Sequence, residues 1–291
     1  MKFTKMQGLG NDYVYVNCFE ENVDNPAQLA TVISDRHFGI GADGLILITP
    51  SDKADVRMRM FNADGSEAEM CGNGSRCVAK YAFDHHLAKS RGRLSVPGMK
   101  AFEHSLDIET GRGVLKVGLT VGKNGKVEQV CVNMSQPILT PKDIPVALDG
   151  QWAIAEPIEI DGRKLVFTAV SMGNPHAVFF CDDVDSVELE KIGPMIEKHR
   201  LFPKHVNAHF VQILNPSEFR MRTWERGSGI TLACGTGACA CGVAAVLNKL
   251  AERNCTAHLP GGSLQLNWSA SDNCVYMTGP AVEVFEGVWN G

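Results

Sequence analysis

The chain repeats itself at a spacing of 163 residues. Gly10-Asn11 opens the run GNDYVYV, and Gly173-Asn174, 163 positions later, opens GNPHAVFF. At the same offset Arg57-Met58-Arg59 aligns with Arg220-Met221-Arg222, and Phe61 with Trp224. Cys71-Gly72-Asn73-Gly74 aligns with Cys234-Gly235-Thr236-Gly237. One Cys-Gly-x-Gly match would carry little, but collinear matches without a gap point to duplication. Solenoid repeats recur every ~20–50 residues, so this period is far too long for one. The 291 residues suit about two domains at roughly 150 each. We therefore expect two similar domains related by a pseudo-twofold axis, with the linker near Asn133 to Pro145, where Pro137, Pro141 and Pro145 fall.

Each half carries the same coarse pattern. In the first, Phe3 to Lys5, Tyr13 to Asn17, Leu45 to Thr49 and Val56 to Phe61 read as strands. Pro26 to Asp35 reads as a helix with Pro in its first turn, and Gly74 to Leu87 as another. Short strands with Gly turns follow through Val132. In the second half, Val166 to Val170, Ala177 to Phe180, Phe210 to Leu214 and Phe219 to Trp224 read as strands. Val187 to His199 and Thr236 to Ala251 read as helices. The latter is almost entirely apolar up to Leu247, and a helix apolar all round is a buried one. The expected class is α/β (α+β): two pseudo-symmetric domains, each a mixed, mostly antiparallel sheet wrapped around a central helix. The Cys-Gly-x-Gly turn would lie at that helix's N-terminus, with the active site in the cleft between the domains.

Composition narrows the function. The net charge of −5 offers no basic field for nucleic acid or an anionic membrane. No apolar run approaches the ~20 residues that span a bilayer. The N-terminal MKFTKMQGLG has no signal-peptide core, so a cytoplasmic protein is expected, or a plastid one whose transit peptide has been removed. There are ten cysteines but no CxxC pair. Cys239 and Cys241 stand two apart on a helix and point away from each other, a poor joint metal site. We expect no bound metal, and at least seven of the ten cysteines as small buried hydrophobes.

Cys71 and Cys234 read differently, because each precedes Gly-x-Gly and then a helix. Glycine lets a ligand approach the backbone. The N–H groups and positive end of a helix attract an anion, and the same field favours thiolate over thiol. A carboxylate held by both turns would have a sulfur on each face of its α-carbon. That suits inversion of a C–H stereocentre: a thiolate removes the proton and the opposite thiol supplies a new one. The α-proton of an amino acid is a very weak acid. Charge developing on the carboxylate must therefore be stabilised, and preorganised N–H donors supply that without an electron-sink cofactor.

Other paired positions fit a polar substrate. Asn11, Asn62, Asn174 and Asn207 sit beside glycines, strand ends or turns. Singly, each reads first as a turn residue bonding its own backbone. Glu225-Arg226 reads either as an exposed ion pair or as a clamp, with the Arg holding a second carboxylate by its fork. His176 reads as structural or, near the cysteines, as a bias on thiol ionisation.

At these residues the chain resembles the diaminopimelate epimerase family. GLGNDYVYVN, FNADGSEAEMCGNGSRC, MGNPH, TWERGSGITLACGTGACA and MTGPA match it in the family's order over nearly the whole chain. The resemblance implies cofactor-independent interconversion of LL- and meso-2,6-diaminopimelate, in lysine and peptidoglycan precursor synthesis. It implies Cys71 and Cys234 as the acid/base pair, with the reacting carboxylate on Gly72, Asn73, Gly74, Gly235 and Thr236. Asn62, Asn174, Asn207 and Arg226 would read the distal carboxylate and Glu225 the distal ammonium, with Asn11 and His176 at the same site. A homodimer is implied, as is a last strand returning to the first domain. The halves would be residues 1–133 with about 275–291, and residues 134–274.

One position departs from the pattern. Some members carry a substrate-contacting Gln where this chain has Gly44, which aligns at the 163 offset with Asn207. Water or a neighbouring side chain would take that space. Rival readings are weaker. A proline or hydroxyproline racemase gives Glu225-Arg226 and the four Asn no purpose. A dinucleotide-binding oxidoreductase finds G-x-G-x-x-A at Gly235 to Ala240 but no βαβ unit with a following acid. A non-catalytic amino-acid binder needs neither cysteine.

Overall fold

The computed structural model describes residues 1–291, which form two compact units: residues 1–133 with 278–291, and residues 134–277. The first unit is a row of strands. Strand 282–288 pairs with Lys2–Gly8, which pairs with Asn11–Asn17, all antiparallel. Asn11–Asn17 runs parallel to Gly44–Thr49, which pairs antiparallel with Val56–Asn62. His104–Thr110 lies parallel to that strand and is followed by Gly113–Val121 and Val127–Asn133 as an antiparallel meander.

Two helices cover the two faces of this sheet. Helix α1 (Pro26–Ser34) packs on one face, where Ala30 and Ile33 meet Val14, Val16, Leu45, Leu47 and Phe61 in one core. Helix α2 (Gly72–Asp84) touches the strands on the other face, from Lys2–Gly8 through to Val127–Asn133. The sheet therefore curls around it. Strand Gly44–Thr49 is covered on both sides, which explains its unbroken apolar run: Leu45 and Leu47 meet α1, while Ile46 lies under the first turn of α2.

The second unit repeats the plan. Glu156–Ile160, Arg163–Ser171 and Pro175–Phe180 are antiparallel neighbours. Pro175–Phe180 runs parallel to Asn207–Asn215, which pairs antiparallel with Glu218–Glu225. Asn254–Leu259 lies parallel to the latter and forms a hairpin with Gly262–Trp268. Helix α3 (Leu189–Glu197) begins 163 residues after α1, and α4 (Gly235–Leu247) begins 163 after α2. Helices of one length recur at one offset, so the duplication extends to element boundaries. The mixed, mostly antiparallel sheet around a central helix is present in each unit.

Several boundaries differ from the sequence reading. Helices α2 and α4 start directly after their cysteines and end sooner than expected, because His86 (φ 58°) and Lys249 (φ 61°) adopt the left-handed conformation that stops a helix. The segment 133–145 is not a free linker. Ile138 bridges Ser171, and Ile144 and Val146 are buried in the core of the second unit. At the other boundary, Val275 exchanges backbone bonds with Met134 and Ser135, which keeps residues 275–277 in the second unit. Cys239 and Cys241 are buried in α4, and none of the ten cysteines is joined in a disulfide. No helix is long and apolar enough to cross a membrane.

The space beside the Gly44 Cα is taken first by the backbone carbonyl of Phe61 and then by the ring of Tyr13. A Cβ built there would overlap the Phe61 carbonyl oxygen and stand 2.9 Å from Cε1 of Tyr13, whose ring is buried. The carbonyl is backbone in the paired strand and cannot swing away. Gly44→Ala should therefore destabilise the protein by about 1–3 kcal/mol, read as a lower urea midpoint at unchanged m-value. Parent-like stability would mean that the two strands separate easily here.

Candidate active site

Cys71 is the N-cap residue of α2, with extended backbone, and its sulfur accepts the N–H of Gly74 at 3.4 Å. The thiol faces Asn11 Oδ1 at 3.5 Å, and the same oxygen accepts from Asn73 Nδ2 at 3.3 Å. What turns the Asn11 amide this way is Asp43, whose carboxylate accepts Asn11 Nδ2 at 2.7 Å. A carboxylate only accepts, so the Asn11 oxygen is left facing the cysteine. Asp43 is held in turn by Arg36 at 3.0 Å. Arg36 and Lys5 also pair with Asp12 and hold its carboxyl below the usual range, against the opposing effect of burial. Asn62 lies at the end of its strand in register with Gly44 and donates to Ser66 Oγ at 3.0 Å. Thus Cys71, Gly72, Asn73, Gly74 and Asn11 form one cluster around the start of α2, and Asn62 bonds to its own turn.

In the second unit Cys234 is the N-cap residue of α4, buried, with its sulfur 3.7 Å from Thr236 Oγ1. The helix-start argument favours its thiolate, and the Thr236 hydroxyl and Gly237 N–H do pull its pKa down. Burial outweighs them, and the neighbouring Glu225 carboxylate adds to burial, so the thiol is pushed well above its ordinary value. This corrects the expectation of a low-pKa thiol at this position: Cys234 is held protonated. Glu225 is itself fixed by Thr231 Oγ1 at 2.5 Å.

Arg226 is exposed and donates through Nη1 to Lys204 O at 3.0 Å, while its backbone N–H donates to Asn207 Oδ1 at 3.0 Å. Asn207 is buried, and its Nδ2 donates to Pro175 O at 2.8 Å. The amide thus ties the Arg226 turn to the start of strand Pro175–Phe180.

His176 is fully buried on that strand, with Nε2 at 3.0 Å from Asn174 Oδ1. Its Nδ1 meets a residue that the sequence reading missed, His209, at 2.8 Å from Nε2. His209 is also fully buried, with Nδ1 at 2.9 Å from Thr223 Oγ1. A signal existed: position 209 is the 163-offset counterpart of Ile46, so a histidine occupies an inward strand position that is aliphatic in the other half. A Cβ on Gly237 would overlap His209 Cε1 and lie 3.0 Å from Cys234 Sγ, so this imidazole packs against the helix turn that carries the cysteine.

The fold of the two units has counterparts among solved structures. A phenazine biosynthesis protein of the PhzF family from Bacillus anthracis matches with TM-score 0.66 at 16% identity, over 99% of this chain and 98% of that one. A probable proline racemase from Agrobacterium radiobacter matches with TM-score 0.65 at 15% identity, over 99% and 92%. They establish the fold class. At the level of sequence, the family model described as diaminopimelate epimerase matches residues 3–136 and 168–284. A diaminopimelate epimerase from Acetivibrio thermocellus is 55% identical over 287 residues, covering 99% of this chain and 98% of the relative. The chain belongs to the diaminopimelate epimerase family.

The two buried imidazoles have a consequence for acid stability. Burial holds His209 down to about 3, and holds His176 well below 6.5, with His209 and Arg226 adding to the latter effect. Below about pH 6.5 the unfolded chain binds protons that the folded one refuses. Stability is therefore complete above that pH and falls as pH drops, by about 1.4 kcal/mol per unit for each histidine. Urea unfolding between pH 6.5 and 4.5 should show a shallower loss in His209→Gln than in the parent, by about 1.4 kcal/mol per unit. Equal slopes would mean that His209 is protonated in the folded protein.

Proposed function

We propose that the chain interconverts LL- and meso-2,6-diaminopimelate with its own side chains, Cys71 and Cys234 acting as acid and base, in lysine and peptidoglycan precursor synthesis. The observation that carries the chemistry is the cysteine at the N-cap of each duplicated central helix. One sulfur, as thiolate, takes the α-hydrogen as a proton and leaves the electron pair on the α-carbon, spread into the α-carboxylate. The other sulfur gives its proton to the opposite face. Each turnover moves one proton from substrate to the first sulfur and one from the second sulfur to product, and the reverse reaction exchanges the roles. Cys234, held protonated by burial and Glu225, is poised as the acid when Cys71 is the base.

The backbone N–H groups of Gly72, Asn73, Gly74, Gly235 and Thr236 face the α-carboxylate in this reading, where two helix starts stabilise the developing charge. Arg226, Asn62, Asn174 and Asn207 take the distal carboxylate. Asn207 is committed through Oδ1 and one N–H, and brings its second amide hydrogen. Glu225 takes the distal ammonium while its carboxylate also borders Cys234. His176 acts on the site through Asn174. The reading extends to a cytoplasmic homodimer. The exposed apolar side chains Val282, Val284, Phe285 and Val288 on strand 282–288 support the dimer.

Turnover of LL-diaminopimelate in D₂O should place deuterium at one α-carbon of the meso product. Cys71→Ala and Cys234→Ala should each lose about 10²–10⁴-fold or more in rate, while Cys239→Ala stays near the parent. A parent-like rate in Cys71→Ala would refute the two-base mechanism. Arg226→Lys keeps the charge but loses the fork. Loss of a charged contact of this kind costs about 2–5 kcal/mol, so KM should rise by well over tenfold. An unchanged KM would remove Arg226 from distal recognition.

A further inference from the structure

Three side chains on adjacent strands of the second unit, and Asn174 in the bend just before the first of them, form one line of hydrogen bonds. Thr223 Oγ1 meets His209 Nδ1, His209 Nε2 meets His176 Nδ1, and His176 Nε2 meets Asn174 Oδ1. Backbone register holds the line in place: His209 is paired with Thr223 across one strand pair, and His176 is level with Asn207 across the other. The last acceptor sets the direction of every bond. An amide oxygen only accepts, so His176 donates from Nε2. Both imidazoles are kept neutral by burial, so each has one donor and one acceptor nitrogen. His176 must then accept at Nδ1 from His209 Nε2–H, and His209 must accept at Nδ1 from the Thr223 hydroxyl.

The result at the end of the line is a fixed amide. With its oxygen held by His176, half-buried Asn174 keeps its NH₂ group for a ligand. The counterpart in the first unit, Asn11, is turned the other way, its NH₂ held by Asp43 and its oxygen presented to Cys71. The two halves thus offer opposite ends of paired amides, and only an NH₂ group suits a carboxylate. His209 packs its Cε1–Nε2 edge against the Gly237 turn, but Nε2 is committed to His176 Nδ1, so its influence runs through His176.

We propose that His209 is a positioning residue that, through His176, turns the Asn174 amide so that its NH₂ group meets the substrate carboxylate. This rests on the reading that Asn174 binds substrate. The test uses His209→Ile, since the equivalent position is already Ile46 against the corresponding helix turn. ¹⁵N NMR of the ligand-free parent should show His176 protonated at Nε2 and bare at Nδ1. In His209→Ile that tautomer should mix with the Nδ1–H form, and KM for diaminopimelate should rise about tenfold with little change in kcat, as for a lost hydrogen bond to a charged group. His209→Gln, whose amide can donate to His176 Nδ1, should recover most of the loss. If the isoleucine variant does not fold, Thr223→Val serves: it removes the donor to His209 and should mix the tautomers of both rings. A parent His176 protonated at Nδ1, or unmixed tautomers in the variants, overturns the proposal. Mixed tautomers with a parent-like KM overturn it too, by separating Asn174 from substrate while leaving the epimerase reading intact. Absence of turnover in the parent defeats that reading instead, and the ligand-free spectra still decide the direction of the line.

Discussion

The close approach of each central helix to the strand behind it is the constraint on which the other features depend. A Cβ on Gly74 would stand 2.7 Å from Ile46 Cδ1, and one on Gly237 would overlap the His209 ring. Only glycine permits the first turn to lie that near the sheet. Because it does, the N-cap cysteine is drawn in from solvent, and its sulfur shares the turn with backbone N–H donors. Interior packing and chemical function meet in the same glycine. A side chain there would lift the helix and carry the sulfur with it.

Duplication supplies the symmetry, and departures from it supply the differences between the two thiols. Cys71 faces a neutral amide oxygen, whereas Cys234 has a carboxylate beside it and is more deeply buried. The line behind Asn174 consists of neutral rings, and the one behind Asn11 is a surface-linked network of Asp43, Arg36, Asp12 and Lys5. The same backbone plan thus places a neutral line behind one side chain and an ionic network behind its equivalent. The two-base reaction proposed for the pair calls for that inequality.

Much of this was legible in the sequence, because periodicity and repetition are properties of the chain itself. The offset of 163 located both central helices, both cysteines and the paired asparagines. Features set by burial were not legible. Nothing local to Cys234 announces that desolvation overrides the helix start, since that depends on what surrounds the sulfur. His209 lies twenty-five residues before Cys234 in sequence, and only the parallel pairing of two strands brings it to His176. Strand Glu156–Ile160 was readable but went unread: Asp161-Gly162 sits between alternating apolar residues, and both adopt left-handed φ in a tight hairpin. The helix ends at His86 and Lys249 were hidden because non-glycine residues stop them.

The strand pairing of Lys2–Gly8 with 282–288, and the bond from the Met1 amino group to Trp289 O, bear on the order of assembly. The second unit is one continuous stretch, residues 134–277, set inside the first. On a ribosome residues 1–133 emerge first, yet Lys2–Gly8 lacks one of its strand partners until residues 282–288 are made. The inserted half has all its strands in hand sooner and can close on local pairings. The first unit therefore completes its sheet through a pairing that spans the whole inserted stretch, the kind of non-local contact that forms slowly, while the pairings within residues 134–277 are available as soon as that stretch has been made.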